Sequence, residues 1–196
     1  MLYAMVNGEK RTASPNQTGL CAACAGQMIA KCGEIKQWHW AHRDISRCDQ
    51  WHESETAWHL AWKSLFPAEW CETPIVIGGK MHIADVQRPD GLVIEFQHSP
   101  ISPETIRERE VFYGKMIWVF DVIEAYSADR FLPKRKGTYW TFRWKHCRTS
   151  LSAVNKPIFL DLGNRLFHMK KLHSAAPVGG WGFILDREQF LQERIS

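Results

Sequence analysis

The sequence predicts a mixed α/β fold, an α+β arrangement around a mixed sheet, and three observations predict it. Residues 51–125 read in order as helix, hairpin, helix and apolar strand. Residues 1–50 carry Cys and His and few long periodic segments. Residues 126–196 open on the basic run Lys134-Arg135-Lys136 and mix short strands with a final helix. A chain of 196 residues supports one core domain with small attachments. The expected division is therefore a Cys/His segment at 1–50, a core at 51–125 and a small accessory subdomain at 126–196.

In the first segment, Cys21-Ala22-Ala23-Cys24 is a knuckle whose two thiolates grip one metal. Cys32, His39, His42 and Cys48 follow. A tetrahedral zinc site takes four N or S ligands, and a C-x2-C pair followed by His and Cys supplies them. The preferred set is Cys21, Cys24, His42 and Cys48, with His39 in place of Cys48 as the next choice. Four protein ligands close a zinc site, which makes it structural, and binding supplies folding energy to a segment too short to bury a good core. Cys71 and Cys147 are assigned no role.

The first helix is expected to start at Ser54, a good N-cap, with Glu55 in the first turn. Pro67 stops it after Phe66. Glu55, His59 and Lys63 recur every fourth residue and line one face. Trp58, Trp62, Leu65 and Phe66 supply the apolar neighbours that hold the helix on a sheet.

The hairpin is the most informative stretch. Two strand-like runs, Met81–Gln87 and Leu92–His98, flank Arg-Pro-Asp-Gly. Pro89-Asp90-Gly91 suits a three-residue loop in which Gly takes the left-handed position of a bulge. Pairing Arg88 with Leu92 makes residue numbers across the hairpin sum to 180. Asp85 then falls opposite Glu95, and Gln97 shares that face. Opposed Cβ atoms sit roughly 4.5–5.5 Å apart, where like charges destabilise a pair. A divalent cation resolves the conflict, because carboxylate oxygens are what Mg²⁺ or Mn²⁺ takes.

Ser102-Pro103-Glu104 starts the next helix with an N-cap, Pro at the first helical position and an acid. It runs to about Lys115 and carries Arg107 and Arg109, which reach either a nucleic-acid backbone or the neighbouring Glu104, Glu108 and Glu110. Met116–Asp121 follows as an apolar strand inside the sheet. In the tail, PIFLDLGNRLFHMKK has the look of a hairpin.

Composition narrows the function classes. Ordinary apolar content and ten Trp describe a folded protein and not a disordered chain. A net charge of +4 permits nucleic-acid binding without demanding it. No run approaches membrane-spanning length, and the first residues lack the apolar stretch of a signal peptide. A cytoplasmic location is expected, where six Cys read as metal ligands or buried thiols before disulfides.

The spacing D-x9-E-x-Q from Asp85 through Glu95 to Gln97 resembles the PD-(D/E)XK nuclease superfamily. HIAD followed by GLVIEFQHSPIS, together with HWAHRDISRCDQWHESETAWHLAWK, is similar to the competence-protein CoiA-like nucleases, over roughly residues 19–121. The resemblance implies a restriction-endonuclease-like core and a metal-dependent DNA nuclease, and it favours His42 and Cys48 as zinc ligands. It also implies that Glu55 joins Asp85 and Glu95 at the metal and that His59 relays a proton. Lys63 and Arg107 would contact the DNA, Lys63 at the scissile phosphate. Gln97 stands where the superfamily has Lys; an amide orients water but does not act as a base near neutral pH. Two other classes stay open: a non-cleaving DNA-binding module with a nuclease fold, and a zinc-braced protein adaptor. DNA is the expected partner, with roles in competence, recombination, phage biology or defence all compatible. The oligomeric state is open, a homodimer included.

Overall fold

In a computed structural model, residues 1–46, 48, 49, 51, 55–173, 175 and 178–195 are described, and they divide into two units, 1–94 and 95–196. The first unit begins with β1 (Tyr3–Val6), β2 (Glu9–Thr12), β3 (Thr18–Leu20), β4 (Gln27–Lys31) and β5 (His39–His42). They form one sheet in the order β2-β1-β3-β4-β5 with antiparallel neighbours. Asn7-Gly8 closes the first hairpin with both residues at positive φ, 52° and 85°, the requirement of a type I′ turn. Met1, Ala4, Ala13, Cys21, Met28, Trp40 and Cys48 bury together, so two of the thiols are core residues of this sheet.

Helix α1 (Ala57–Lys63) follows, and it is shorter than the sequence suggests. Its N-cap is Thr56, whose Oγ1 accepts from the backbone N–H of His59 at 3.3 Å. Ser54, the expected cap, lies outside the described residues. Glu55 therefore precedes the helix and does not sit in its first turn. Strands β6 (Cys71–Ile77) and β7 (Lys80–Gln87) then pair antiparallel round Gly78-Gly79, with Ile77 opposite Lys80. Strand β8 (Val93–Gln97) returns along β7 with Val86 opposite Ile94 and Gln87 opposite Val93, the register expected from the sequence. The loop has the expected chemistry. Gly91 takes φ 79°, and the Arg88 N–H donates to Leu92 O at 2.9 Å.

The second unit takes the last three residues of β8 and continues with α2 (Pro103–Tyr113), β9 (Met116–Asp121), α3 (Ile123–Ser127), β10 (Phe131–Lys136) and β11 (Tyr139–Trp144). Then come β12 (Ile158–Asp161), β13 (Arg165–His173), β14 (Gly179–Asp186) and α4 (Arg187–Ile195). Its strands run in the order β10-β11-β14-β13-β12-β9, with β8 next to β9. Strand β12 is parallel to β9 and antiparallel to β13, so the sheet is mixed, as expected, and residues 158–161 share it with β9. Ser102 caps α2 by accepting from the Thr105 N–H at 3.1 Å. Phe131, Phe142 and Phe167 stack edge-on or tilted with centroids 5.1–5.5 Å apart, forming an aromatic centre in this unit. Glu110 is buried but well partnered: it accepts from Trp118 Nε1 and from the Asn155 and Lys156 N–H groups at 3.0–3.1 Å. Among the described residues no helix is long and apolar enough to cross a membrane.

Candidate metal centre and acid cluster

The knuckle before β4 brings two thiols close by tight backbone geometry. Ala25 takes a left-handed φ of 54°, its N–H donates to Cys21 O at 3.0 Å, and Cys21 N–H donates to Gly26 O at 2.9 Å. The Ala23 and Gly26 N–H groups each lie 3.4 Å from a knuckle sulfur, Cys21 Sγ and Cys24 Sγ respectively. Gly26 leaves room here, because a Cβ would come within 3.1 Å of Cys24 Sγ and press the thiol aside by a few tenths of an ångström. His42, at the end of β5, brings Nε2 to 3.5 Å from Cys24 Sγ, and Cys48 Sγ lies 3.8 Å from Cys21 Sγ. The four ligand atoms all lie within 4.8 Å of one another.

A tetrahedron with Zn–S of about 2.3 Å and Zn–N of about 2.0 Å has S···S edges of about 3.8 Å and S···N edges of about 3.5 Å. The donor set and its spacing fit structural zinc. His39, the alternative ligand, is three residues from His42 on the same strand and so points to the other face; its Nδ1 pairs with Gln37 O at 2.9 Å. Burial pushes the Cys48 thiol up to about 12 and raises Cys21 as well. Metal binding to these groups therefore releases protons, as it does wherever thiols must ionise to coordinate.

Residues 7–50 match the family model of competence protein CoiA, N-terminal domain. The matched stretch contains all four zinc-cluster residues. No curated protein and no solved structure matches the chain.

Cys48 is followed by Asp49, a buried carboxylate that reaches strand β7. Asp49 Oδ2 accepts from the Ile83 N–H at 2.7 Å, and Oδ1 pairs with His82 Nδ1 at 2.8 Å. The Trp51 ring stacks on His82. The cysteine segment is thus tied to the strand that carries Asp85, two residues beyond Ile83.

The second cluster of this unit centres on Lys63. Its side chain has no exposed surface. Nζ donates to Glu55 Oε1 at 2.5 Å and to Glu72 Oε1 at 2.6 Å, and lies 3.9 Å from Asp85 Oδ1. Glu72 also accepts from the Leu2 and Tyr3 N–H groups, at 2.6 and 3.0 Å. Burial opposes charge on Lys63, but Glu72, then Glu55 and Asp85, outweigh it and raise its pKa above the ordinary lysine range. Burial likewise pushes the Glu55 carboxyl up, and the Lys63 ammonium overrides it and holds the group down at about 2. Glu55 and Lys63 are therefore both ionised at neutral pH. Lys63, expected on a phosphate, has instead an enclosed ammonium whose neighbours are acids. His59 is also buried, with Nδ1 2.9 Å from Thr56 Oγ1.

Sequence reasoning missed Glu72. The pairs on either side of it, Cys71 with Val86 and Thr73 with Ala84, put it across from Asp85. It adopts a left-handed φ of 50°, which costs a non-glycine residue of the order of 1 kcal/mol. Its signal was the Gly78-Gly79 pair, a two-residue hairpin turn that fixes this register.

In the second unit, Glu95 is buried and accepts from Arg109 NH1 at 3.0 Å. Arg109 thus finds Glu95, a partner outside its own helix. Gln97 is fully buried, and its Nε2 donates to Ser99 O at 2.9 Å. Arg107 is exposed and pairs with Glu104 at 3.0 Å, the local alternative to a backbone contact.

Proposed function

We propose that the chain is a divalent-metal-dependent deoxyribonuclease braced by structural zinc and acting in competence-related DNA processing. The observation that carries the reading is the setting of Asp85. Of the three carboxylates round Lys63 it is the most accessible, with 22% of its side chain exposed against 9% for Glu55 and 4% for Glu72. A strand carboxylate 3.9 Å from a buried ammonium and partly open to solvent suits a hard dication. The similarity of residues 7–50 to the CoiA N-terminal domain supports the competence-related part.

In this reading Asp85 and Glu95 are the ligands of Mg²⁺ or Mn²⁺. A bound dication supplies Lewis-acid polarisation of a phosphate oxygen and a water of lowered pKa. Lys63 holds Glu55 ionised and gathers Glu72 and Asp85 beside it. Gln97 orients water by hydrogen bonding, and His59 carries a proton. Arg107, exchanging its weak surface pair with Glu104, contacts the DNA backbone. Residues 1–50 are the zinc-binding segment, residues 51–125 the nuclease core and residues 126–196 an accessory subdomain, and the protein works in the cytoplasm.

A specific observation favours the non-cleaving DNA-binding reading: the buried Glu95 carboxylate already has the Arg109 guanidinium as a counter-charge. Incubating the purified chain with labelled single-stranded, duplex and branched DNA separates the two. The nuclease reading expects cleavage with Mg²⁺ or Mn²⁺ and none with EDTA; DNA bound and left intact under every metal condition supports the binding module and overturns the nuclease.

A further inference from the structure

The second unit contains a cavity of about 250 Å³ that uses none of the acids discussed above. Its polar lining is His98, Asp121, Glu124, Arg130, His146 and Arg148. His98 immediately follows β8 and Asp121 ends β9, so the cavity lies at the carboxyl ends of two strands joined by α2, where open α/β sheets place ligands.

Its groups are held in place. The Nδ1 of His98 donates to Asp121 Oδ2 at 2.7 Å, and Asp121 Oδ1 accepts from the Ile123 N–H at 3.0 Å. A carboxylate on Nδ1 orients the ring and turns its Nε2 edge toward the cavity. Arg148 ties the two strand ends together by donating to His98 O at 2.7 Å and to Asp121 O at 3.3 Å. His146 sits at a left-handed φ of 60°, a strained position of the kind found at ligand sites. Arg130 pairs with Glu124, whose side chain is 84% exposed, so a ligand displaces that partner at little cost. His98 itself is 45% exposed and accessible.

Two imidazoles and the Arg130 guanidinium converging on one small cavity match a phosphate group: Arg130 supplies forked donors for its oxygens, and His supplies a directional one, while Arg148 holds the backbone carbonyls. The volume is below the usual range for drug-sized ligands, about 300–1,000 Å³, and admits a phosphate with part of its nucleoside but not a duplex. We infer that this cavity binds the terminal phosphate of a nucleotide or of a nucleic-acid end through His98, His146 and Arg130.

The test is calorimetric titration of the full zinc-bearing chain without added Mg²⁺ or Mn²⁺. The probes are inorganic phosphate, a nucleoside 5′-monophosphate, the same nucleoside without phosphate, and a short oligonucleotide with and without a 5′-phosphate. The nucleotide should bind and the nucleoside should not, and the 5′-phosphorylated oligonucleotide should bind more tightly than the same strand without that phosphate. Tighter binding of the nucleotide assigns the site to free nucleotides, and tighter binding of the phosphorylated oligonucleotide assigns it to chain ends. His98→Ala, Arg130→Gln and His146→Asn, the last chosen because Asn tolerates a left-handed backbone, should each weaken binding about 10-fold or more. All three side chains reach the surface, and folding is checked by circular dichroism. Equal binding with and without phosphate, no binding at millimolar phosphate or nucleotide, or unchanged affinity in all three variants would overturn the inference.

Discussion

Replacing Lys63 with Met removes the one side-chain ammonium that Glu55, Glu72 and Asp85 share while keeping the volume of the buried stem. The wild-type contacts at 2.5 and 2.6 Å then have no donor, and two nearly inaccessible carboxylates lose their nearest counter-charge, although Glu72 keeps the Leu2 and Tyr3 N–H groups and Glu55 the Met1 ammonium at 3.9 Å. Breaking a buried ion pair from one side typically costs about 3–5 kcal/mol. The depression of the Glu55 carboxyl from 4.5 to about 2 leads to a similar figure, about 3 kcal/mol. A carboxyl with a depressed folded pKa stabilises the fold above its unfolded value and loses that contribution as pH falls through the folded value. The wild-type advantage should therefore be full above pH 4.5 and shrink between 4.5 and about 2. In the variant the Glu55 carboxyl keeps its burial and loses the Lys63 ammonium, so mild acid should relieve part of the defect. Urea unfolding followed by tryptophan fluorescence at pH 7 and pH 4 reads both effects. Adding Glu72→Gln to Lys63→Met should recover part of the loss, because one stranded charge disappears. A variant within about 1 kcal/mol of wild type at pH 7, against the 3–5 expected for a broken buried pair, would refute the reasoning. So would a defect that deepens on acidification.

Cys24→Ser should lose the zinc, about one per chain by elemental analysis of protein purified without added metal, and become protease-sensitive. Gly26→Ala should weaken zinc retention in a chelator competition, since its Cβ would press on Cys24 Sγ at 3.1 Å; retention equal to wild type would mean the knuckle relaxes freely. Gln97→Ala should slow metal-saturated single-turnover cleavage by about 10²–10³ with DNA affinity nearly unchanged. A wild-type rate would confine Gln97 to its hydrogen bond with Ser99.

What the sequence made legible was local chemistry. Pro89-Asp90-Gly91 set the loop, and the loop set the register seen at Val86 with Ile94. Ser102-Pro103 marked the start of α2 because both residues act within one turn. The zinc quartet was readable to within one ligand, and strand alternation separates His42 from His39. Helix α1 was misplaced by two residues because Ser54 and Thr56 are both good caps, and what draws Glu55 is its contact with Lys63, which no local pattern encodes. Glu72 escaped notice although Gly78-Gly79 pairs Ile77 with Lys80 and hence carries Glu72 to Asp85. Pro74 argues against a central strand, and a left-handed Glu is not expected inside one. The parallel pairing of β12 with β9 joins residues some forty positions apart, and neither strand carries a mark of its partner. The Asp121–His98 pair is hidden for the same reason.

The central claim, a metal-dependent nuclease built on Asp85, is tested most directly by comparing wild type with Asp85→Ala on labelled DNA at saturating Mg²⁺ or Mn²⁺. Zinc content and circular dichroism are matched between the two samples. The account predicts cleavage by the wild type, none by the variant, and DNA binding retained or strengthened once an acid facing phosphate is gone. Cleavage by Asp85→Ala at the wild-type rate would contradict it.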